Sequence, residues 1–396
     1  MKRFILLISA VAIPLLLSCK KDEVKDEAKV DLESISFDRT ELILEKGKKD
    51  VLSVTLTPSN ASDKILTWVS TDTDVATVED GIISAIAPGK ADIIAKSGLI
   101  LARCKVTVII AAKGIQLNKS NLEICKYEEE NLVATLNPVD ATEAVVWSSS
   151  DSTVAKVADG KVTAVGVGPA VITAKAASFE AECEVTVKPP RGSVDLGIAI
   201  SLPNGTKYNL YWAASNLKDS GLCTNPEDYG DYYSWGETSK KSAYSWGSYK
   251  YGTSQTGPFS KYNSTSSLGP VDGKTVLEPN DDAARVTLGD HWRMPTQDEW
   301  DALREQCDWV FTDNYSGTGV AGEIITATNG SKIFLPAAGY QIETGPSNLG
   351  INGYYWSSSL FTTLSYCGKS LHFTTTNINT TNFSRYYGMS IRPVCN

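Results

Sequence analysis

Between Leu32 and Val187 apolar and polar positions alternate in short runs, as in Val51-Leu52-Ser53-Val54-Thr55-Leu56 and Cys183-Glu184-Val185-Thr186-Val187. Turn residues separate the runs at regular intervals, which predicts a succession of short strands, each burying one face. The pattern also repeats itself, at an offset of roughly 80 positions. Thr55-Leu56-Thr57-Pro58 returns as Thr135-Leu136-Asn137-Pro138, Asp74-Val75-Ala76-Thr77-Val78 as Thr153-Val154-Ala155-Lys156-Val157, and Cys104-Lys105-Val106-Thr107-Val108 as Cys183-Glu184-Val185-Thr186-Val187. Each repeat is expected to be a small all-β sandwich, with its one tryptophan (Trp68, Trp147) plugging the core between the sheets.

After Lys188-Pro189-Pro190-Arg191-Gly192, read as a stiff linker, aliphatic alternation thins and Gly, Tyr, Trp and Ser rise. Two helices are signalled. Thr296 and Glu299 form a capping box, after which Trp300, Leu303 and Cys307 share one helical face. Asp281-Asp282 precede a shorter helix. Glu323–Thr328 and Ser331–Leu335 flank Asn329-Gly330, which predicts a hairpin closed by a type I′ turn. From Gly353 to Val394 apolar framing residues (Tyr354, Trp356, Leu371, Phe373, Ile391, Val394) bracket segments dense in Ser, Thr, Asn and Tyr. That is the composition of a displayed binding surface: Tyr supplies rigid contact area, and small hydroxyls and amides supply adaptable hydrogen bonds. The ligand-binding residues expected are Tyr366, His372, Asn377, Asn379, Asn382, Tyr386 and Tyr387, with Trp356 in support.

The chain opens on an address. Lys2 and Arg3 precede an apolar run from Phe4 to Leu17, too short to span a bilayer as a permanent helix, and Leu16-Leu17-Ser18-Cys19 follows. The segment resembles a bacterial lipoprotein signal, which implies cleavage before Cys19 and lipidation of its thiol. Lys20 to Lys29 alternates charges and reads as a solvated tether, and Asp22-Glu23 resembles the surface-export signals of Bacteroidetes lipoproteins. The expected layout is leader 1–18, tether 19–32, repeats 33–110 and 111–188, and C-terminal domain 193–396. Location is expected at the outer membrane, lipid-anchored and exposed at the cell surface.

Both repeats resemble bacterial immunoglobulin-like domains of group 2, on Trp68-Val69-Ser70, Val75-Ala76, Gly81 and Gly89-Lys90-Ala91-Asp92-Ile93 and their counterparts. The C-terminal region resembles the Fibrobacter succinogenes major paralogous domain. The resemblance rests on Trp235-Gly236-Glu237, Gly289-Asp290-His291-Trp292-Arg293-Met294-Pro295-Thr296, Leu335-Pro336-Ala337-Ala338-Gly339-Tyr340, Tyr355-Trp356-Ser357-Ser358-Ser359 and Ser390-Ile391-Arg392-Pro393-Val394. It implies a fold similar to C-type lectins and formylglycine-generating enzymes: α+β, two helices on small antiparallel sheets with long loops. The fold class expected is therefore multidomain, two all-β immunoglobulin-like sandwiches followed by an α+β C-type-lectin-like domain. The resemblance extends to variable proteins of diversity-generating retroelements, because Leu360 to Met389 consists largely of residues reachable from an Asn codon by changing adenines. An unmutated paralogue with a naturally polar loop is the equal alternative.

Charge and candidate chemistry narrow the partners. A net charge of −9, with 46 acidic against 37 basic residues, argues against nucleic acid. The partners expected are a protein or glycan ligand at the cell surface, and the membrane through the N-terminal lipid. Gly317 to Gly322 matches a dinucleotide-loop spacing but leads into a strand rather than a helix. Glu278-Pro279-Asn280 copies a calcium-lectin tripeptide but is expected to cap or pack. His291 and His372 lack metal-ligand spacing. Cys125 and Cys183 could form a disulfide, with buried thiols the alternative, and Cys223, Cys307, Cys367 and Cys395 could pair in three ways. No cofactor, no metal and no enzymatic activity are expected. A second reading places a sugar-stacking platform on Trp235, Trp246 and Tyr249 of a fimbria-like accessory lipoprotein. The least favoured is a formylglycine-generating-type enzyme using Cys367 and Cys395.

Overall fold

The computed structural model describes residues 29–343 and 345–396; the leader, Cys19 and most of the tether lie outside them. By compactness the chain forms two units. One runs to Gly114 and takes in Leu136–Ala144; the other comprises Ile115–Thr135 and Val145–Asn396. The second repeat is thus largely grouped with the C-terminal region.

The first repeat is a sandwich. Glu41–Glu45 pairs in parallel with Ile100–Ile109, which pairs with Gly89–Ser97 and that with Thr67–Ser70. Lys49–Val51, Ile82–Ala85 and Ala76–Glu79 form the facing sheet. Alternation along Ile100–Ile109 turns Cys104, Val106 and Val108 inward, onto Leu42, Leu44, Ile83 and Ile93, while Ala102 packs with Ile35 and Ala95. The second repeat uses the same arrangement, with Leu122, Ile124, Val162, Ile172, Cys183, Val185 and Val187 as its core.

Three sequence expectations change here. The Val51–Leu56 run is two strands: Lys49–Val51 pairs with one sheet and Val54–Thr57 with Ser34–Phe37, the chain crossing over at buried Leu52. Trp68 and Trp147 pack against the sandwich cores as expected but are only half-buried, not enclosed as plugs. Trp147 lines an open groove of about 570 Å³ with Glu129, Lys161 and Thr163. The Cys125–Cys183 disulfide does not form, since all seven described cysteines are free. Cys125 partners Lys188 on the neighbouring strand, five positions beyond Cys183. At about 3.3 Å per residue that is far outside disulfide reach.

In the C-terminal region the last strand closes onto the first hairpin. Val394–Cys395 inserts between Lys207–Ala213 and Trp292–Arg293, and Ser193–Ser201 flanks the sheet. The Gln297–Gln306 helix has the expected capping box: Thr296 Oγ1 accepts from the Glu299 amide and Glu299 accepts from the Thr296 amide. Glu299 is also gripped by Arg293 and by the Tyr208 hydroxyl at 2.7 Å, which explains the arginine of the Trp-Arg-Met-Pro-Thr motif. Trp300 and Leu303 from this helix pack with Trp212, Tyr355, Leu371, Phe373 and Val394. The shorter helix, Ala283–Leu288, is capped by Asp282. Arg392 is fully buried and faces no carboxylate among its hydrogen-bond partners. Its guanidinium donates to Asn216 Oδ1 at 2.9 Å, Ala213 O at 3.0 Å and Phe334 O at 2.7 Å, tying three segments together. Burial pulls it down to about 10.

The Gly322–Ala327 and Lys332–Pro336 hairpin exists, but its turn is not type I′. Only Gly330 is left-handed (φ 84°), and Gly330 N–H donates to Ala327 O, so the loop is Thr328-Asn329-Gly330. A type I′ turn needs positive φ at both central residues, and Asn329 does not supply it. Where the second repeat meets the C-terminal region, the Tyr127 ring stacks on His291 at 3.7 Å and Arg191 pairs with Glu128 at 2.6 Å.

Candidate binding surface

The polar C-terminal run folds into the antiparallel sheet Gly353–Leu360, Cys367–Phe373 and Ile378–Ser384. Pairing sets Tyr354, His372 and Asn379 in one row, Trp356, Ser370 and Thr381 in the next, and Gly368 beside Phe383. These share one face, because side chains alternate along a strand. Leu371, Phe373 and Thr380 take the other face, against the Gln297–Gln306 helix, where Thr380 Oγ1 donates to Asp301 at 2.9 Å.

A ribbon of rings runs along the first face. Trp246 meets Tyr386 (centroids 4.9 Å apart), Tyr386 meets Tyr387 (4.7 Å), and Tyr387 stacks on Tyr340 (5.2 Å, 5° between planes). Tyr340 meets Tyr354 (4.9 Å), which stacks on His372 (4.4 Å) and meets Phe383 edge-on (5.3 Å). All but Tyr354, which is buried, are half-buried, and Trp246, Tyr340, Phe383, Tyr386 and Tyr387 pack against the core. Burial lowers the affinity of His372 for a proton, so its imidazole is neutral at pH 7, and its Nε2 has no partner. Burial pushes the Tyr386 phenol up to about 12, so it remains a donor.

Arg385 holds this ribbon in place. It is fully buried, its guanidinium lies 4.3 Å from the Phe259 ring centroid, and it donates to Lys261 O and Tyr262 O. Its backbone binds Trp235 and Tyr366. The adjacent Tyr386-Tyr387 pair therefore projects from a fixed main chain.

The expected site residues do not converge on one spot. His372, Asn379, Tyr386 and Tyr387 lie on or beside the ribbon. Asn382 lies on the opposite face, lining a cavity of about 240 Å³ with Gln297 and Asp301. Asn377 is exposed in the turn before Ile378 and lines a different cavity. Tyr366 is half-buried in the Phe361–Tyr366 connection. Trp356 is a correction: it is 0% exposed, its indole N–H donates to Tyr233 O at 2.7 Å, and it touches no solvent. Two of the three proposed sugar-stacking aromatics are corrected likewise. Trp235 is 0% exposed, donating to Ser357 O at 2.8 Å, and Tyr249 is buried, donating to Trp235 O at 2.9 Å. Only Trp246 of that set reaches the surface. Tyr340 and Phe383 complete the ribbon without standing out in the sequence. Tyr340 stands in the Ala-Ala-Gly-Tyr motif, and Phe383 was hidden in a polar run.

Other expected groups take structural places. Glu278 pairs with Lys261 and with Lys274 (2.6 Å). Gly317 closes a short 3₁₀ turn and Gly322 starts a strand. Cys367 and Cys395 are buried free thiols that burial pushes up to about 11 and about 12, which disfavours the thiolate. Among the described residues no group of three or more His, Cys, Asp or Glu is placed to hold a metal, and no helix is long and apolar enough to cross a membrane.

The two repeats match the bacterial Ig-like domain (group 2) over residues 31–100 and 111–187. An uncharacterised protein of Clostridium acetobutylicum is 33% identical over 163 residues, covering 39% of this chain and 17% of its own length. Ice-binding protein 1 of Shewanella frigidimarina is 33% identical over 173 residues, covering 39% of this chain and 19% of its own. An alpha-L-arabinofuranosidase of Bifidobacterium longum subsp. longum is 39% identical over 126 residues, covering 30% of this chain and 12% of its own. The chain thus spans less than a fifth of each of these relatives. Among solved structures, domains 4 and 5 of the S-layer protein SbsC align with TM-score 0.19 and 17% identity over 40% of this chain and 99% of that one. The titin Ig tandem A164-A165 aligns with TM-score 0.23 and 10% identity over 40% and 100%.

Proposed function

We propose that this chain is a lipid-anchored, surface-exposed protein whose C-terminal region is a non-catalytic binding head, carried on two Ig-like modules and directed at a protein or glycan ligand. The observation that carries the reading is the ribbon of half-buried rings held by Arg385. Rigid aromatic area with one face already packed loses little entropy on binding. The exposed Asn379 amide supplies both a donor and an acceptor. The motif resemblance to the paralogous, C-type-lectin-like domain supports a head of this kind. The leader motif ending at Cys19 supports the anchor and the outer-membrane location. Diversification of Leu360 to Met389 would call for a reverse-transcriptase gene and a near-copy template beside this gene.

The test compares the full chain with its Tyr386→Ala/Tyr387→Ala variant, on a glycan array and on a panel of purified extracellular proteins. Binding by the wild type that the variant loses, with circular dichroism unchanged, supports the ribbon as the site. If every ligand bound by the wild type is bound equally by the variant, the ribbon is overturned as a site. Palmitate labelling that disappears in Cys19→Ala, together with protease accessibility on whole cells, tests the anchor.

A further inference from the structure

The Gly322–Ala327 strand turns Glu323, Ile325 and Ala327 to the same side. Ile325 and Ala327 are core residues, and Glu323 occupies the next place in that row at 3% exposure. Its ladder neighbours are Phe311 and Leu335. Its Oε2 is buried with no hydrogen-bond partner. A buried carboxyl without a partner costs the fold free energy, and an apolar residue of similar size would suit the row better. The group therefore faces a place where its partner is not part of the fold.

That place is a cavity of about 390 Å³, within the range of small-molecule sites (about 300–1,000 Å³). Half-buried Trp309 and Phe311 supply aromatic surface, and the Trp309 ring is fixed by its N–H donating to Leu303 O at 3.3 Å. Thr376 and Asn377 line it from the turn before Ile378, and Arg304 lines it from the helix. Arg304 Nε is itself buried without a partner, while its terminal nitrogen reaches Glu305 at 3.2 Å and Asp301 at 3.5 Å. Two residues that each carry an unpaired buried polar atom, one an acceptor and one a donor, thus line one cavity beside aromatic surface. A cationic ligand would oppose Arg304 and an anionic one would oppose Glu323. A neutral ligand with hydroxyls around an apolar ring face uses every group present.

We propose that the cavity bounded by Glu323, Trp309, Phe311, Asn377 and Arg304 is a carbohydrate-binding site, sharing no residue with the aromatic ribbon. The ring would lie against the aromatic wall, its hydroxyls donating to the Glu323 carboxyl and the Asn377 carbonyl and accepting from Arg304.

The experiment screens the full chain on an array of neutral, amino and acidic oligosaccharides and titrates the strongest hit calorimetrically. Three variants accompany it: Glu323→Leu, Asn377→Ala and Tyr386→Ala/Tyr387→Ala. The expected result is binding by the wild type, at least about tenfold weaker in Glu323→Leu. Asn377→Ala, on an exposed turn, weakens it too, while the double tyrosine variant keeps it. Glu323→Leu should melt no lower than the wild type. No oligosaccharide bound above background, undiminished binding in Glu323→Leu and Asn377→Ala, loss in the tyrosine variant alone, or binding of a lysine-rich peptide in preference to sugars would each overturn the assignment. Because the ribbon and the cavity are disabled by different variants, either can fail without the other.

Discussion

Glu323→Leu also has a consequence for stability that needs no ligand. Burial among Phe311, Leu335 and Ile325 pushes the Glu323 carboxyl up to about 7, from an ordinary value near 4.5. The folded chain therefore holds a proton at pH values where the unfolded chain has released it. Below about pH 4.5 both states are protonated and the site adds no pH-dependent penalty. As pH rises toward 7 the unfolded state gains by ionising while the folded state does not, and above 7 the folded state carries the buried charge. At about 1.4 kcal/mol per pH unit, the wild type loses roughly 3 kcal/mol from this one residue between pH 4.5 and pH 8. Leucine cannot titrate, so the stability difference between variant and wild type should widen by that amount over the same interval. Every other carboxyl is common to both proteins and cancels, as does the intrinsic packing effect of leucine. Urea unfolding of the full chain, followed by tryptophan fluorescence, measures it, since seven of the nine tryptophans follow Ser193. Parallel stability–pH curves for the two proteins would refute the reasoning.

Other expectations follow from groups that hold the ribbon and the core. Arg392→Ala leaves three buried acceptors without their donor and should cost at least about 4 kcal/mol, seen as a fall in melting temperature or as insoluble chain. Burial alone would raise the Asp281 carboxyl, but Lys261, Tyr251 and Tyr262 hold it at about 2. Its stabilisation is complete above the ordinary carboxylate range and disappears as pH falls toward 2, so Asp281→Ala should cost about 3 kcal/mol at pH 7 and far less at pH 2 by urea titration. Gly368→Ala would place a methyl 2.5 Å from the buried Trp235 indole, so it should lower the melting temperature and move near-ultraviolet circular dichroism. Trp356→Phe removes the donor to Tyr233 O, and a calorimetric loss of about 1–2 kcal/mol is expected, with ribbon binding retained.

Much of the local structure was legible because it rests on short-range pattern. Period-two alternation marked the sandwich strands, and the internal repeat showed that there are two. Thr296 and Glu299 announced a helix end through groups three residues apart, and Asp282 caps the shorter helix in the same way. The framing residues Tyr354, Leu371, Phe373, Ile391 and Val394, apolar positions bracketing polar runs, are buried. The site was less legible. Trp235, Tyr249 and Trp356 look in sequence like Trp246 and Tyr386, since an aromatic side chain suits a core and a binding surface equally well. Which of them is covered depends on segments distant in sequence, such as Tyr233 against Trp356 and Phe259 against Arg385.

The chain itself determined the strands, the caps, the repeat and the framed polar run, because hydrophobic period and hydrogen-bonding termini act within a few residues. Only the tertiary structure decided which rings stay half-exposed, that Asn382 faces away from His372, and that Glu323 takes an apolar place in its row. Those outcomes depend on register between strands, where a shift of one residue exchanges the two faces of the sheet.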